Sequence, residues 1–241
     1  MAYVTFPEGI LWKSDRDGSN AMQLTDPPLY PATPQWSPDG KQILFDANDA
    51  AGQTENYIIS SRGGAPKLFL PEETKGLSEP YWSPDGRKIA FYRAAIGNSK
   101  SELCILDLNS HRVTALPGSQ GLLGPIWSPN GRFIAGIDTS TWGIRLFDFQ
   151  TQQWKMLVNE NASWGVWSKN GRYIYYLNLM HEPGVYRVRA AGGSPERVVN
   201  LEGFRATGST LSWMSIDPDD TPILIRDAGS NEVYALTLDT K

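Results

Sequence analysis

An all-β chain folded as a β-propeller is predicted by three features of the sequence. A block recurs with a period of 40–46 residues, centred on Trp36, Trp82, Trp127, Trp167 and Trp213. Short runs rich in β-branched and aromatic residues alternate with turns, and helical signals are nearly absent, while 23 Gly and 17 Pro interrupt the chain. A period of this size belongs to solenoids and propellers, and strand-only contents point to the latter.

The block reads PQWSPDGKQILF at residues 34–45, PYWSPDGRKIAF at 80–91, PIWSPNGRFIAG at 125–136 and GVWSKNGRYIYY at 165–176. A worn copy, LSWMSIDPDDTPILI, occupies residues 211–225. One unit parses completely. EPYWS is a first strand, SPDG a turn, RKIAFYRA a second strand, SELCILDL a third, NSHR a turn and VTAL a fourth. Ser83, Pro84, Asp85 and Gly86 match a type I turn, with Pro preset at i+1 and Gly free to take positive φ. Asn130–Gly131 and Asn170–Gly171 keep that logic.

Ahead of the first full unit, YVTF, GILWKS and AMQLT resemble strands two, three and four; the last unit supplies strands one to three. Six blades with incomplete sheets at the seam are expected, within one domain over residues 1–241. The alternatives are five blades, with N-terminal strands completing the last sheet, or a piece of a larger propeller.

Many strand runs are apolar on consecutive residues, which suits sheets covered on both faces by neighbouring blades. A large flat side chain at the same place in every unit can fill the gap between blades. Trp36, Trp82, Trp127, Trp167 and Trp213 are therefore expected in inter-blade core. The pattern resembles the TolB-type, WD-like propeller repeat, whose hallmark is matched almost residue for residue by WSPDGRKIAF at 82–91. DRDGSNAMQLT at 15–25 is similar to that family's hairpin between third and fourth strands. The resemblance implies a bacterial protein with an interaction role, often in the envelope, and hence a periplasmic or extracytoplasmic place. It says little of chemistry, since propellers carry many activities.

Composition excludes several classes. The net charge is −4, from 22 basic and 26 acidic residues, and no basic stripe is visible, which argues against a nucleic-acid groove. No apolar stretch approaches the roughly 18 residues of a spanning helix, so membrane insertion is not expected. The start MAYVTFPEGILWK lacks the pattern of a signal peptide. Cys104, the one cysteine, lies in the apolar run LCIL and reads as a buried thiol.

Catalytic and cofactor motifs are missing. There is no G-x-S-x-G elbow, P-loop or Rossmann fingerprint. Asp15, Asp17, Ser19 and Asn20 suggest a calcium loop, but the sixth and twelfth places hold Asn20 and Asp26 instead of Gly and Glu, and a hairpin turn is favoured. His111 and His181 are too few for a metal centre of nitrogen ligands. No cofactor, metal or catalytic residue is expected.

What remains is surface. Loops from strand four to the next blade, and from strand two to strand three, share one face around the channel mouth. Those loops carry Tyr30, Glu79, Trp142, Trp164, His181 and Phe204, the candidate ligand-binding residues. Trp142 and Trp164 fall outside the repeated Trp position, and aromatics anchor binding surfaces. The expected function is a non-enzymatic, monomeric scaffold that binds a protein or peptide at the channel mouth. The alternative is the propeller domain of a hydrolase or peptidase whose catalytic domain lies outside this chain.

Overall fold

The turn between the first two strands shows how each unit folds. In the computed structural model, the Gly86 N–H donates to the Ser83 carbonyl at 2.9 Å, and Gly86 takes φ +69°. Ser83 Oγ donates to Asp85 Oδ1 at 2.6 Å and accepts the Lys88 N–H at 2.9 Å. Ser37–Asp39, Ser128–Asn130 and Ser168–Asn170 repeat the Ser-to-Oδ1 bond at 2.7, 2.7 and 2.9 Å. Asp and Asn interchange because the turn uses only the accepting Oδ1, which both residues own.

The structure describes residues 1–5, 7–48, 52, 54–97, 99–159, 161–205, 214–224 and 226. Blade I is a three-stranded antiparallel sheet of β1 (Ala2–Val4), β2 (Leu11–Lys13) and β3 (Met22–Gln23). Blade II holds β4 (Tyr30–Trp36), β5 (Gln42–Asn48), β6 (Thr54–Ser60) and β7 (Lys67–Leu68), followed by the short helix α1 (Pro71–Thr74). Blade III holds β8 (Leu77–Trp82), β9 (Lys88–Arg93), β10 (Glu102–Asp107) and β11 (Arg112–Ala115). Blade IV holds β12 (Leu122–Trp127), β13 (Phe133–Asp138), β14 (Gly143–Asp148) and β15 (Gln153–Val158). Blade V holds β16 (Ser163–Trp167), β17 (Tyr173–Asn178), β18 (Gly184–Arg189) and β19 (Glu196–Asn200). A two-stranded ribbon of β20 (Met214–Ile216) and β21 (Pro222–Leu224) follows.

In each complete blade the strands lie in chain order and pair antiparallel. First strands of consecutive blades approach one another, β4 to β8, β8 to β12 and β12 to β16, so they edge the central channel. The propeller expected from the repeat is thus present, but with five blades, the alternative count, rather than six. Among the described residues the last unit is a ribbon, not a sixth blade. Its turn is shorter than the others: Asp217 Oδ1 alone accepts the N–H groups of Asp219 at 2.7 Å and Thr221 at 2.9 Å. No strand pairing joins β1–β3 to this ribbon among the described residues. The two ends meet through side chains, with Arg16 reaching Asp217 and, at 3.1 Å, Asp219. Asp15 and Asp17 are engaged in their own hairpin by Asn20 at 2.7 Å and the Ser19 N–H at 2.9 Å.

The core lies between blades. Trp127 is 6% exposed, clusters with Ala90, Leu103 and Leu116 of blade III and stacks on Phe149 at 5.1 Å. Trp167 is 4% exposed, stacks on Phe133 of blade IV at 6.2 Å and donates its indole N–H to the Ile126 carbonyl at 3.3 Å. Trp82 packs on Leu44, Ile58 and Phe69 of blade II. Each of these Trp residues therefore fills the gap toward the preceding blade. Trp36 departs from the expectation and is 37% exposed. Its preceding blade is blade I, which contributes only two- and three-residue strands, so little surface is left for the indole to cover. Trp213 lies outside the described residues.

Candidate functional site

Every complete blade breaks the pairing of its first strand at the same place. The register shifts between Ala32 and Gln35, Ser78 and Tyr81, Leu123 and Ile126, and Ser163 and Val166. Each bulge contains one residue of positive φ: Thr33 at +43°, Glu79 at +53°, Gly124 at +62° and Trp164 at +38°. The first strand runs from the channel-mouth face inward, so these bulges ring the mouth. The scaffold is constant and the residue at this position is different in every blade. Positive φ is uncommon for residues other than Gly and concentrates at functional positions.

Two carboxyl groups meet at the seam of blades II and III. Asp46 on β5 is 7% exposed. It accepts the Thr33 hydroxyl through Oδ1 and the main-chain N–H of Glu79 through Oδ2 at 3.3 Å. Glu79 Oε2 is buried without a hydrogen-bond partner among the described residues. A Cβ added at Gly124 would stand 3.4 Å from it, so the next bulge leaves room for this carboxyl. Burial, reinforced by the nearby Asp46 charge, pushes Glu79 up to about 8. Burial also raises Asp46, against the Thr33 O–H and Glu79 N–H, which favour its carboxylate. The Tyr92 hydroxyl is raised by burial, then by Glu79 and Asp46. Burial and the neighbouring Asp46 thus both favour the neutral form of the Glu79 carboxyl.

The other candidates occupy the loops of the same face. Tyr30 opens β4 and is 51% exposed. Trp142, in the turn between β13 and β14, is 48% exposed and held at φ +52°. Its N–H donates to the Asp138 carbonyl at 2.8 Å, and its carbonyl accepts the Ala162 N–H at 2.7 Å. That last bond ties Trp142 to the loop that enters the Trp164 bulge. His181, in the turn between β17 and β18, is exposed and donates its main-chain N–H to Asn178 Oδ1 at 3.2 Å. Phe204 is half-buried, folded down onto the cluster of Tyr175, Leu177 and Leu201. The bulge thus unites Glu79 and Trp164 at equivalent positions, and the Ala162 link adds Trp142. Tyr30 and His181 stand apart on their own blades.

Sequence reasoning missed Asp46, Thr33 and Gly124. One signal was present: TPQW, EPYW and GPIW place these bulge residues three before the repeated Trp, and the Gly version marks positive φ.

No protein-family model matches the chain, and no curated protein does. Solved structures do. TolB from Acinetobacter baumannii aligns over 91% of this chain and 55% of its own length, with a TM-score of 0.72 and 20% identity. The chain thus spans about half of that protein. A protein assigned as TolB from Agrobacterium tumefaciens aligns over 91% of this chain and 83% of its own, with a TM-score of 0.68 and 20% identity. A prolyl endopeptidase aligns over 86% of this chain and 34% of its own, with a TM-score of 0.55 and 15% identity. At such identities the likeness speaks for architecture, and the chain has the all-β, TolB-type propeller fold.

Proposed function

We propose that the chain is a non-enzymatic propeller scaffold that binds a protein or peptide at its channel-mouth face. The observation that carries this reading is the ring of bulges: one left-handed backbone geometry recurs in the first strands of four blades, at Thr33, Glu79, Gly124 and Trp164. A ligand there touches several blades at once. Aromatic anchors beside it, exposed Trp142 above all, supply contact area. The base-side turns serve folding instead, since their Ser, Asp and Asn side chains are spent on hydrogen bonds to the turn itself. Likeness to TolB favours a bacterial interaction role. The second reading, a propeller domain of a peptidase, draws on the prolyl endopeptidase likeness.

The test is affinity capture from the native host with the wild-type chain and the double variant Trp142→Ala, Trp164→Ala. Loss of a captured partner, with melting and far-ultraviolet dichroism near wild type, supports the scaffold. Equal capture by both, or a catalytic domain encoded in the same gene, favours the second reading.

A further inference from the structure

A second recess, apart from the bulges, opens between blades IV and V, with a volume of about 670 Å³. Its upper end is built by two loops of the channel-mouth face. The loop after β15 contributes Asn159 and Asn161, and the turn after β17 contributes Asn178, His181 and Glu182. Its floor is apolar and aromatic: Met156 is 44% exposed, and Tyr186 stacks on buried Tyr176 at 5.7 Å.

The hydrogen-bonding capacity around this recess is largely unspent. Asn178 Oδ1 accepts the N–H groups of Met180 at 3.1 Å and His181 at 3.2 Å, which fixes the turn and leaves its Nδ2 donors open. The amides of Asn159 and Asn161, the His181 ring and the Glu182 carboxyl have no hydrogen bond or ion pair among the described residues. The Tyr186 hydroxyl donates to the Glu182 carbonyl at 3.0 Å, holding the ring as part of the floor.

We infer that the recess between blades IV and V is a binding site for a neutral oligosaccharide. Asn159 and Asn161 offer donors and acceptors together, as paired hydroxyl groups require, and Asn178 adds its Nδ2 donors. A carboxylate and an imidazole add further acceptors. Among the described residues no Lys or Arg lines the recess, which offers none of the cations that favour a phosphate or carboxylate ligand. The Tyr186 and Met156 surface suits the apolar C–H face of a sugar ring. An extended peptide is served less well, because its backbone is read by a row of main-chain groups at a strand edge, whereas side-chain amides at irregular spacing line this site.

Isothermal titration of the full chain with chitotetraose, maltotetraose, cellotetraose and mannotetraose tests the assignment. At least one is expected to bind saturably at millimolar concentration or below. The double variant Asn159→Ala, Asn161→Gly should weaken it at least tenfold. Glycine is chosen because Asn161 sits at φ +55°, which alanine would strain. Glu182→Gln should weaken it with unchanged melting, separating lost contacts from lost folding. Absence of saturable binding by all four sugars overturns the inference, as does binding that both variants leave intact, or binding of a neutral peptide in their place. The Trp142→Ala, Trp164→Ala pair leaves the lining side chains in place, so failure here is distinguishable from failure at the channel mouth.

Discussion

The main-chain N–H of Glu79 in blade III donates to Asp46 Oδ2 of blade II at 3.3 Å, so a left-handed residue of one blade is clamped by a buried carboxyl of its neighbour. Burial, and then the same carboxyl, raise the Glu79 side chain above its ordinary range. Backbone geometry, blade docking and protonation are thereby coupled at one seam.

Glu79 gives a pH signature of defined sign. With the folded group near 8 and the ordinary value 4.5, the native state holds more protons than the unfolded chain between those limits. Its contribution to stability is fully present below about pH 4.5 and is lost as pH rises through about 8. Glu79→Gln removes this dependence. The variant should unfold in urea like wild type at pH 4, and be more stable at pH 9 by on the order of 3 kcal/mol. Equal midpoints at both pH values would contradict the burial of this carboxyl.

Asp46 should behave differently according to what replaces it. Asp46→Ala leaves the Thr33 hydroxyl and Glu79 N–H without their acceptor, at a cost of about 1–3 kcal/mol. Asp46→Asn keeps an acceptor and removes the charge, so the Glu79 titration should move to lower pH. Chemical-shift titration of the Glu79 carboxyl carbon reads this directly.

The repeated Trp residues should not be equal. Trp127→Ala is expected to cost about 3–5 kcal/mol through lost burial and a cavity. Trp36→Ala, at a site already 37% exposed, should cost about 1 kcal/mol. Denaturant midpoints order the two.

These contrasts show what was legible in the sequence. The Trp-Ser-Pro-Asp-Gly turn could be read because all its bonds are local, Ser83 to Asp85 and Lys88 spanning two and five residues. The exposure of Trp36 could not, because it depends on the short strands of the preceding blade. Glu79, expected in a loop, lies instead in the bulge of β8, and its partner Asp46 is 33 residues away on another blade. As a polar residue near the end of an apolar strand, QILFDAN, Asp46 looks like ordinary strand-end solvation. Only the inter-blade register buries it against Glu79.

The seam between the chain ends makes a further prediction. The Arg16 guanidinium is 62% exposed, and its bonds to Asp217 and Asp219 connect blade I to the ribbon. Arg16→Ala should lower the melting temperature less than Trp127→Ala does, and high salt should shrink the difference from wild type. A salt-independent loss would point to packing rather than charge.

The most direct measurement is the affinity of a captured partner for matched variants at the two ends of one strand. Trp164 lies in the channel-mouth bulge of blade V, and Lys169 in the turn at its base. Trp164→Ala should weaken binding at least tenfold, and Lys169→Ala should leave it unchanged, with both variants folded. Loss at Lys169 with full affinity at Trp164 would place the partner on the opposite face and contradict the channel-mouth reading.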